Sequence, residues 1–371
     1  MDRPIRILHV LAGMNQGGAE TFVMNVYRNI DRNRIQFDFV LFTKKECYFN
    51  NEIRQLGGKI FWIPRYNGRN HFTFKKAWDS FFYEHEEYKI IHAHVRSTAS
   101  LYLRIAKKHG LTTIVHSHST GSRGNTLERT VKYLLQLRIK KDADYLLAAS
   151  DKAGHWLYGS KAMRNTNYSL INNAIEAEKF SFDETTRKKY RKLLDIENKF
   201  VIGHIGSFTF PKNHNFLIDI FNQVYKRQRN AVLLLVGDGV LRAKIESKVK
   251  MSGLDNNVIF LGIRDDIHKI LQAVDVFVFP SIFEGLGIAL IEAQASGLQC
   301  VVSDSIPKEA YVTELVQSVS LKASSLDWAE KILNTGNYKR INTIEKINAS
   351  GYNVKDTSIW MEEFYSKLRT N

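Results

Sequence analysis

Cysteine is scarce in this chain: Cys47 and Cys300 are the only two in 371 residues, far apart and without the paired spacing of a metal site. A disulfide scaffold is excluded, and a reducing compartment, the cytoplasm, is the expected home. Long apolar runs are missing too. None approaches the ~20 residues that a membrane-spanning helix needs. The short apolar stretch 7–11 runs straight into a glycine-rich turn with no small-residue cleavage site, so it reads as a first strand and not as a signal peptide. There is no zinc-finger spacing, no aromatic RNP-like strand, no repeat and no low-complexity segment, so nucleic acid is not an expected partner.

Acidic side chains are sparse in one half only. Residues 1–180 hold 28 Lys and Arg against 16 Asp and Glu, whereas the remainder holds 25 against 22, so most of the net +15 lies in the first half. A basic half suits an anionic membrane surface or an anionic substrate, or is simply a solvated basic surface.

What is present is alternation. Short apolar runs at 6–13, 37–43, 59–65, 88–95, 112–119, 144–150 and 168–174 read as strands, with helical-period segments between several of them. The pattern restarts at 199–207 and continues through 231–239, 257–263, 275–281 and 298–304. Continuous apolar strands alternating with helices predict parallel sheets covered on both faces and joined by right-handed crossovers. The length suits about two domains of 150–200 residues. The polar stretch 176–199 precedes a fresh strand and marks a boundary near 175–185, and two Rossmann-like α/β domains in series are expected.

In parallel sheets, ligands sit at the carboxyl ends of the strands, so the turns after the strands carry the argument. MNQGGAE (14–20) places Gly17 and Gly18 before a helix, where backbone amides face an anion or simply make a tight connection. It is not GxGxxG, so no dinucleotide cofactor is expected. SFTFPKNHN (207–215) puts Lys212 before another helix, as a point charge for a phosphate or as an exposed loop lysine. SIFEGLGIALIEAQASG (281–297) places two carboxylates in an apolar stretch, where burial is costly without a partner. On one continuous helix, Glu284 and Glu292 would point about 80° apart. With Glu284 on the loop and Glu292 on the helix that follows Gly287, both can border one crevice. Glycine amides at a helix start suit a diphosphate, and carboxylates accept from hydroxyls. A nucleotide sugar fits this combination; the alternative is that Glu292 caps a neighbouring loop.

EGLGIALIE (284–292) resembles the E-x7-E motif of retaining GT-B glycosyltransferases of family 4. GGAE, IVHSH, HIGSFTFPKNH and VGDG fall in that family's order, and the resemblance covers the whole chain, closest to bacterial exopolysaccharide and capsule enzymes. It implies two Rossmann-like domains facing across a cleft: an acceptor-binding domain, 1–178, and a nucleotide-sugar-binding domain, 179–356, with a final helix, 357–371, crossing back to the first. It implies a hexosyltransferase with a nucleotide-sugar donor, UDP-linked, and a glycan or lipid-diphosphate-linked acceptor. His118, Glu284 and Lys212 are the implied catalytic set. Glu284 contacts the donor sugar and Glu292 the ribose, while Gly285, Leu286 and Gly287 hold the diphosphate. Ile263 and Arg264 fall at the base pocket, Gly17 and Gly18 lie against the diphosphate, and Asn15 and Glu20 face the acceptor. Where the family usually has arginine, this chain has Ser207, one diphosphate contact fewer. No metal or cofactor is expected; Asp142 and Asp144 are read as opening a strand. Two other readings stay open, a non-catalytic partner subunit and a nucleotide-sugar epimerase.

The same resemblance gives the basic half a role, docking on an anionic membrane at the inner face of the plasma membrane. Segments 75–85 and 129–141 mix basic with aromatic or aliphatic residues, as an interfacial face would. The competing expectation is that Trp78, Phe81 and Phe82 are core.

Overall fold

A computed structural model describes residues 4–118, 121, 126–335 and 338–369. The chain forms two compact units, Met1–Ala174 with Asn353–Asn371, and Ile175–Tyr352.

The sheet of the first unit has seven strands: β1 (Ile5–Leu11), β2 (Ile35–Leu41), β3 (Ile60–Trp62), β4 (Ile90–Ala93), β5 (Thr112–Ser117), β6 (Tyr145–Ala148) and β7 (Tyr168–Leu170). Their spatial order is β3-β2-β1-β4-β5-β6-β7, and all pairings are parallel. The order reverses between β1 and β4, which makes their carboxyl ends the switch point of this sheet. Apolar side chains cover both faces. Helix Gly18–Asn29 lays Phe22, Val23, Val26 and Tyr27 on one face, where Met361 and Tyr365 from helix Val354–Arg369 join them. The other face holds Phe74, Trp78, Phe81 and Phe82.

That last set corrects one expectation. Trp78, Phe81 and Phe82 are buried and face no interface. Their spacing, i, i+3 and i+4, is the stripe a helix buries against a sheet. Segment 129–141 behaves differently, with Val131, Tyr133, Leu134 and Leu137 all exposed. Asp142 pairs with Arg104 at 3.1 Å and Asp144 with Lys107 at 2.7 Å, so both are engaged in ion pairs.

The sheet of the second unit has six strands: β8 (Phe200–Ile205), β9 (Ala231–Val236), β10 (Val258–Gly262), β11 (Val276–Phe279), β12 (Gln299–Ser303) and β13 (Val316–Val319). The order is β10-β9-β8-β11-β12-β13, again parallel throughout, so the switch point lies between β8 and β11. The short edge strand β13 was not expected. Its residues VQSV are only half-buried, so they carry no apolar run. No described helix is long and apolar enough to cross a membrane.

Candidate active site

In the second unit the segments after β8 and β11 meet at the switch point. After β8 the chain passes Gly206 and Ser207 into a short 3-10 turn, Phe210–Lys212, and then helix His214–Arg227. After β11, Pro280 leads into the glutamate loop. Two hydrogen bonds tie these segments together: the Ile282 amide donates to Pro211 O at 2.7 Å, and Asn213 Nδ2 donates to Pro280 O at 3.1 Å. Lys212 Nζ then donates to Glu284 Oε1 at 2.6 Å and lies 4.9 Å from the centroid of the Phe279 ring. Both members of this ion pair are largely buried. Glu284 uses one of the three ammonium N–H donors, and among the described residues no other hydrogen-bond acceptor takes the rest.

Glycines shape this edge. A Cβ on Gly237 would stand 2.2 Å from the Gly206 carbonyl oxygen, so the loops after β8 and β9 approach as closely as backbone allows. Gly287, left-handed at φ 90°, opens helix Ile288–Ala295 with no side-chain cap, leaving its first amides for a ligand. Leu286 turns its side chain into the core, so it offers the site backbone only. Nothing crowds Gly285.

Glu292 sits on that helix. Burial pushes its carboxyl from the ordinary 4.5 up to about 8. Among the described residues nothing hydrogen-bonds to that carboxyl, so the loop-cap alternative finds no partner there. Ser207 is exposed, with its hydroxyl 3.3 Å from that of Thr209. Arg264 is held by Asp266, at 2.6 and 2.8 Å, and that pairing lowers the Asp266 carboxyl to about 2. Ile263 beside it is exposed.

In the first unit, Gly17 precedes helix Gly18–Asn29, which has no side-chain cap either. A Cβ on Gly17 would fall 2.2 Å from a Glu20 carboxylate oxygen, so the glycine makes room for that side chain. Burial raises the Glu20 pKa. Asn15 Oδ1 accepts from the Tyr48 amide at 3.1 Å, and Gly18 is open to solvent. Phe22, one turn further on, packs against the rings of His116 and His118, with centroids 5.1 and 5.4 Å away.

His118 does not stand alone. His9 on β1, His92 and His94 on and just past β4, and His116 on β5 surround it. His9 pairs in register with His92. His92 and His94, like His116 and His118, are two residues apart and so share a face of the sheet. His9 Nδ1 lies 3.0 Å from His94 Nε2, and His94 Nδ1 lies 2.8 Å from His118 Nε2. Tyr365 OH meets His92 Nδ1 at 2.7 Å. Burial lowers all five imidazole pKa values, those of His9 and His118 to about 3, so the cluster is neutral. The sequence points to His118 and not to the other four. The signal was there, as His-x-His occurs twice, on β4 and on β5.

Two regular parallel α/β units, each with its polar residues at the sheet's carboxyl edge, define a GT-B glycosyltransferase, and the chain belongs to glycosyltransferase family 4. The model for that family matches residues 16–179, and the one described as glycosyl transferases group 1 matches 199–335. EpsF of Bacillus subtilis, a glycosyltransferase candidate, is 34% identical over 358 residues, covering 94% of this chain and 93% of its own. An Escherichia coli enzyme named UDP-Gal:alpha-D-GlcNAc-diphosphoundecaprenol alpha-1,3-galactosyltransferase is 28% identical over 226 residues, 59% of this chain and 58% of its own. In structure, Anabaena Alr3699/HepE, solved in complex with UDP and glucose, aligns with a TM-score of 0.75 at 18% identity over 99% of both chains.

Proposed function

We propose that this chain transfers a hexose from a UDP-linked donor, with retention of configuration, to a lipid-diphosphate-linked saccharide during exopolysaccharide or capsule synthesis. The observation that carries the reading is the Lys212–Glu284 pair at the β8/β11 switch point, beside an uncapped helix start. Lys212 and the amides of Gly285, Leu286 and Gly287 hold the diphosphate, so no metal is needed there. Glu284 orients the lysine and accepts from the sugar hydroxyls. Glu292, half-buried and without a partner among the described residues, accepts from the ribose hydroxyls. Ile263 offers an apolar surface to the base, while Arg264 is held back by Asp266. The UDP assignment draws on the ligand of HepE, and the acceptor class on the name of the Escherichia coli relative.

In the transfer step the bond from the anomeric carbon to the β-phosphate oxygen breaks. The acceptor oxygen bonds to that carbon on the same face, and its proton passes to the departing phosphate. Positive charge and amides already aimed at that phosphate lower the barrier, as preorganised donors do for any developing anion. His118, Asn15, Glu20, Gly17 and Gly18 serve acceptor and donor from the first unit. The exposed Val131, Tyr133, Leu134 and Leu137, with Lys132, Arg138, Lys140 and Lys141 among them, form the face that docks on an anionic membrane.

Calorimetric titration with UDP, GDP and ADP tests the donor site, on the wild type and on Glu292→Ala. Selective UDP binding that weakens in the variant is the expected result. Failure of all three nucleotides to bind would sink the reading and leave the non-catalytic subunit, with Ser207 in the arginine's place as its cause. Turnover of UDP-hexose to an epimer without acceptor would favour the epimerase.

A further inference from the structure

The histidine cluster of the first unit offers more than a single residue at a reacting centre. His116 is fully buried and neither of its ring nitrogens has a hydrogen-bond partner. His118 Nδ1 is buried and unpartnered as well. A neutral imidazole always carries one N–H donor and one acceptor lone pair, so such a ring is destabilising unless something fills the gap. The ring nitrogens of His94, His116 and His118 lie within 4.8 Å of one another. Three nitrogens bound at about 2 Å to one tetrahedral ion stand roughly 3.3 Å apart, so small ring rotations bring this set onto a common centre.

We propose that His94, His116 and His118 bind one divalent transition cation of the zinc class, leaving a fourth position open. Imidazole nitrogen is the ligand type that selects zinc, cobalt, nickel or copper over magnesium or calcium. No carboxylate belongs to the trio, which argues further against the hard cations. The surroundings support the rings. His94 engages His9 through its other nitrogen at 3.0 Å, so an imidazole takes the outer position that a carboxylate, a carbonyl or water fills for most ligating histidines. The rings of His92 and His116 stack 5.5 Å apart, and Tyr365 fixes His92. His118, half-buried, is the side from which an ion enters and where a water or a substrate hydroxyl takes the fourth position. This site lies in the first unit and is independent of the diphosphate chemistry assigned to Lys212.

Cobalt titration of the full chain, stripped of metal, tests the proposal by visible spectrum and by metal content after dialysis. One cobalt per chain with the intense bands of four-coordinate Co²⁺, displaced by zinc, is expected. His116→Gln and His118→Gln should each weaken cobalt binding at least ~100-fold, and His9→Gln, which touches the cation only through His94, about tenfold. Far-ultraviolet dichroism of each variant separates lost ligation from lost folding. Wild-type protein that retains no cobalt overturns the site without any variant. So does binding that survives all three substitutions, which would place the metal on surface histidines. Binding lost in His9→Gln and His92→Gln but intact in His116→Gln would move the ion to His9, His92 and His94, against the assignment made here.

Discussion

The two units carry their polar chemistry at the same edge of the same kind of sheet, yet they handle charge in opposite ways. The second unit keeps a full ion pair, Lys212–Glu284, at its switch point, with lysine N–H donors that no described residue takes. The first keeps five neutral imidazoles, nearly all inside, held by one another and by Tyr365. A diphosphate is a strong anion and calls for fixed positive charge. An alcohol acceptor calls for groups that orient a hydroxyl, whether neutral imidazoles or a cation that they hold. The difference matches the proposed division of labour.

The largest expected effects break this comparison one side at a time. Lys212→Ala should lower kcat by roughly 10²–10³-fold in a transfer assay, the loss typical of one preorganised donor at developing charge. An unchanged kcat would remove the lysine from the reaction. Trp78→Ala should cost about 3–5 kcal/mol of folding stability in denaturant melts, as an aromatic removed from a packed core does. A loss of vesicle binding without loss of stability would return that helix to the membrane surface.

A subtler effect belongs to Glu292. Its folded-state pKa, about 8, lies above the ordinary 4.5, so between these values the folded chain holds a proton that the unfolded chain has released. Stability from this group is present below about pH 4.5 and fades as pH climbs to about 8. Glu292→Gln should flatten that part of the pH–melting curve. Ribose hydroxyls favour the ionised carboxylate, so UDP affinity should rise with pH, up to ~tenfold per unit, until near pH 8, and proton release on binding should vanish in the glutamine variant. Affinity that falls with pH across this range would show that Glu292 donates rather than accepts. The smallest effect sharpens the first unit alone. Leu134→Ser should weaken binding to anionic vesicles about three- to tenfold and leave binding to neutral vesicles little changed.

The second unit's site was legible because its chemistry is contiguous. Gly285, Gly287 and Glu292 lie within one loop and the helix it opens, and Lys212 follows a strand at the expected place. Parallel strands were legible for a similar reason: buried on both faces, they read as unbroken apolar runs. β13 escaped because an edge strand needs no such run. The histidine cluster escaped because β1, β4 and β5 are brought together only by the sheet order. His9, His92 and His116 are far apart in sequence until that order is known. The stripe of Trp78, Phe81 and Phe82 was visible, but its amphipathic pattern serves a core and a membrane surface equally well.

Tyr365 bears on when the first unit can form. Its ring is wholly enclosed against Phe37 and the histidines, and its neighbours Met361 and Leu368 complete the same core. On the ribosome these residues emerge only after all of Ile175–Tyr352 has been made. The second unit is therefore free to fold first, although it is encoded later than most of the first. The histidine face stays open at its base throughout that interval, closing only when helix Val354–Arg369 arrives.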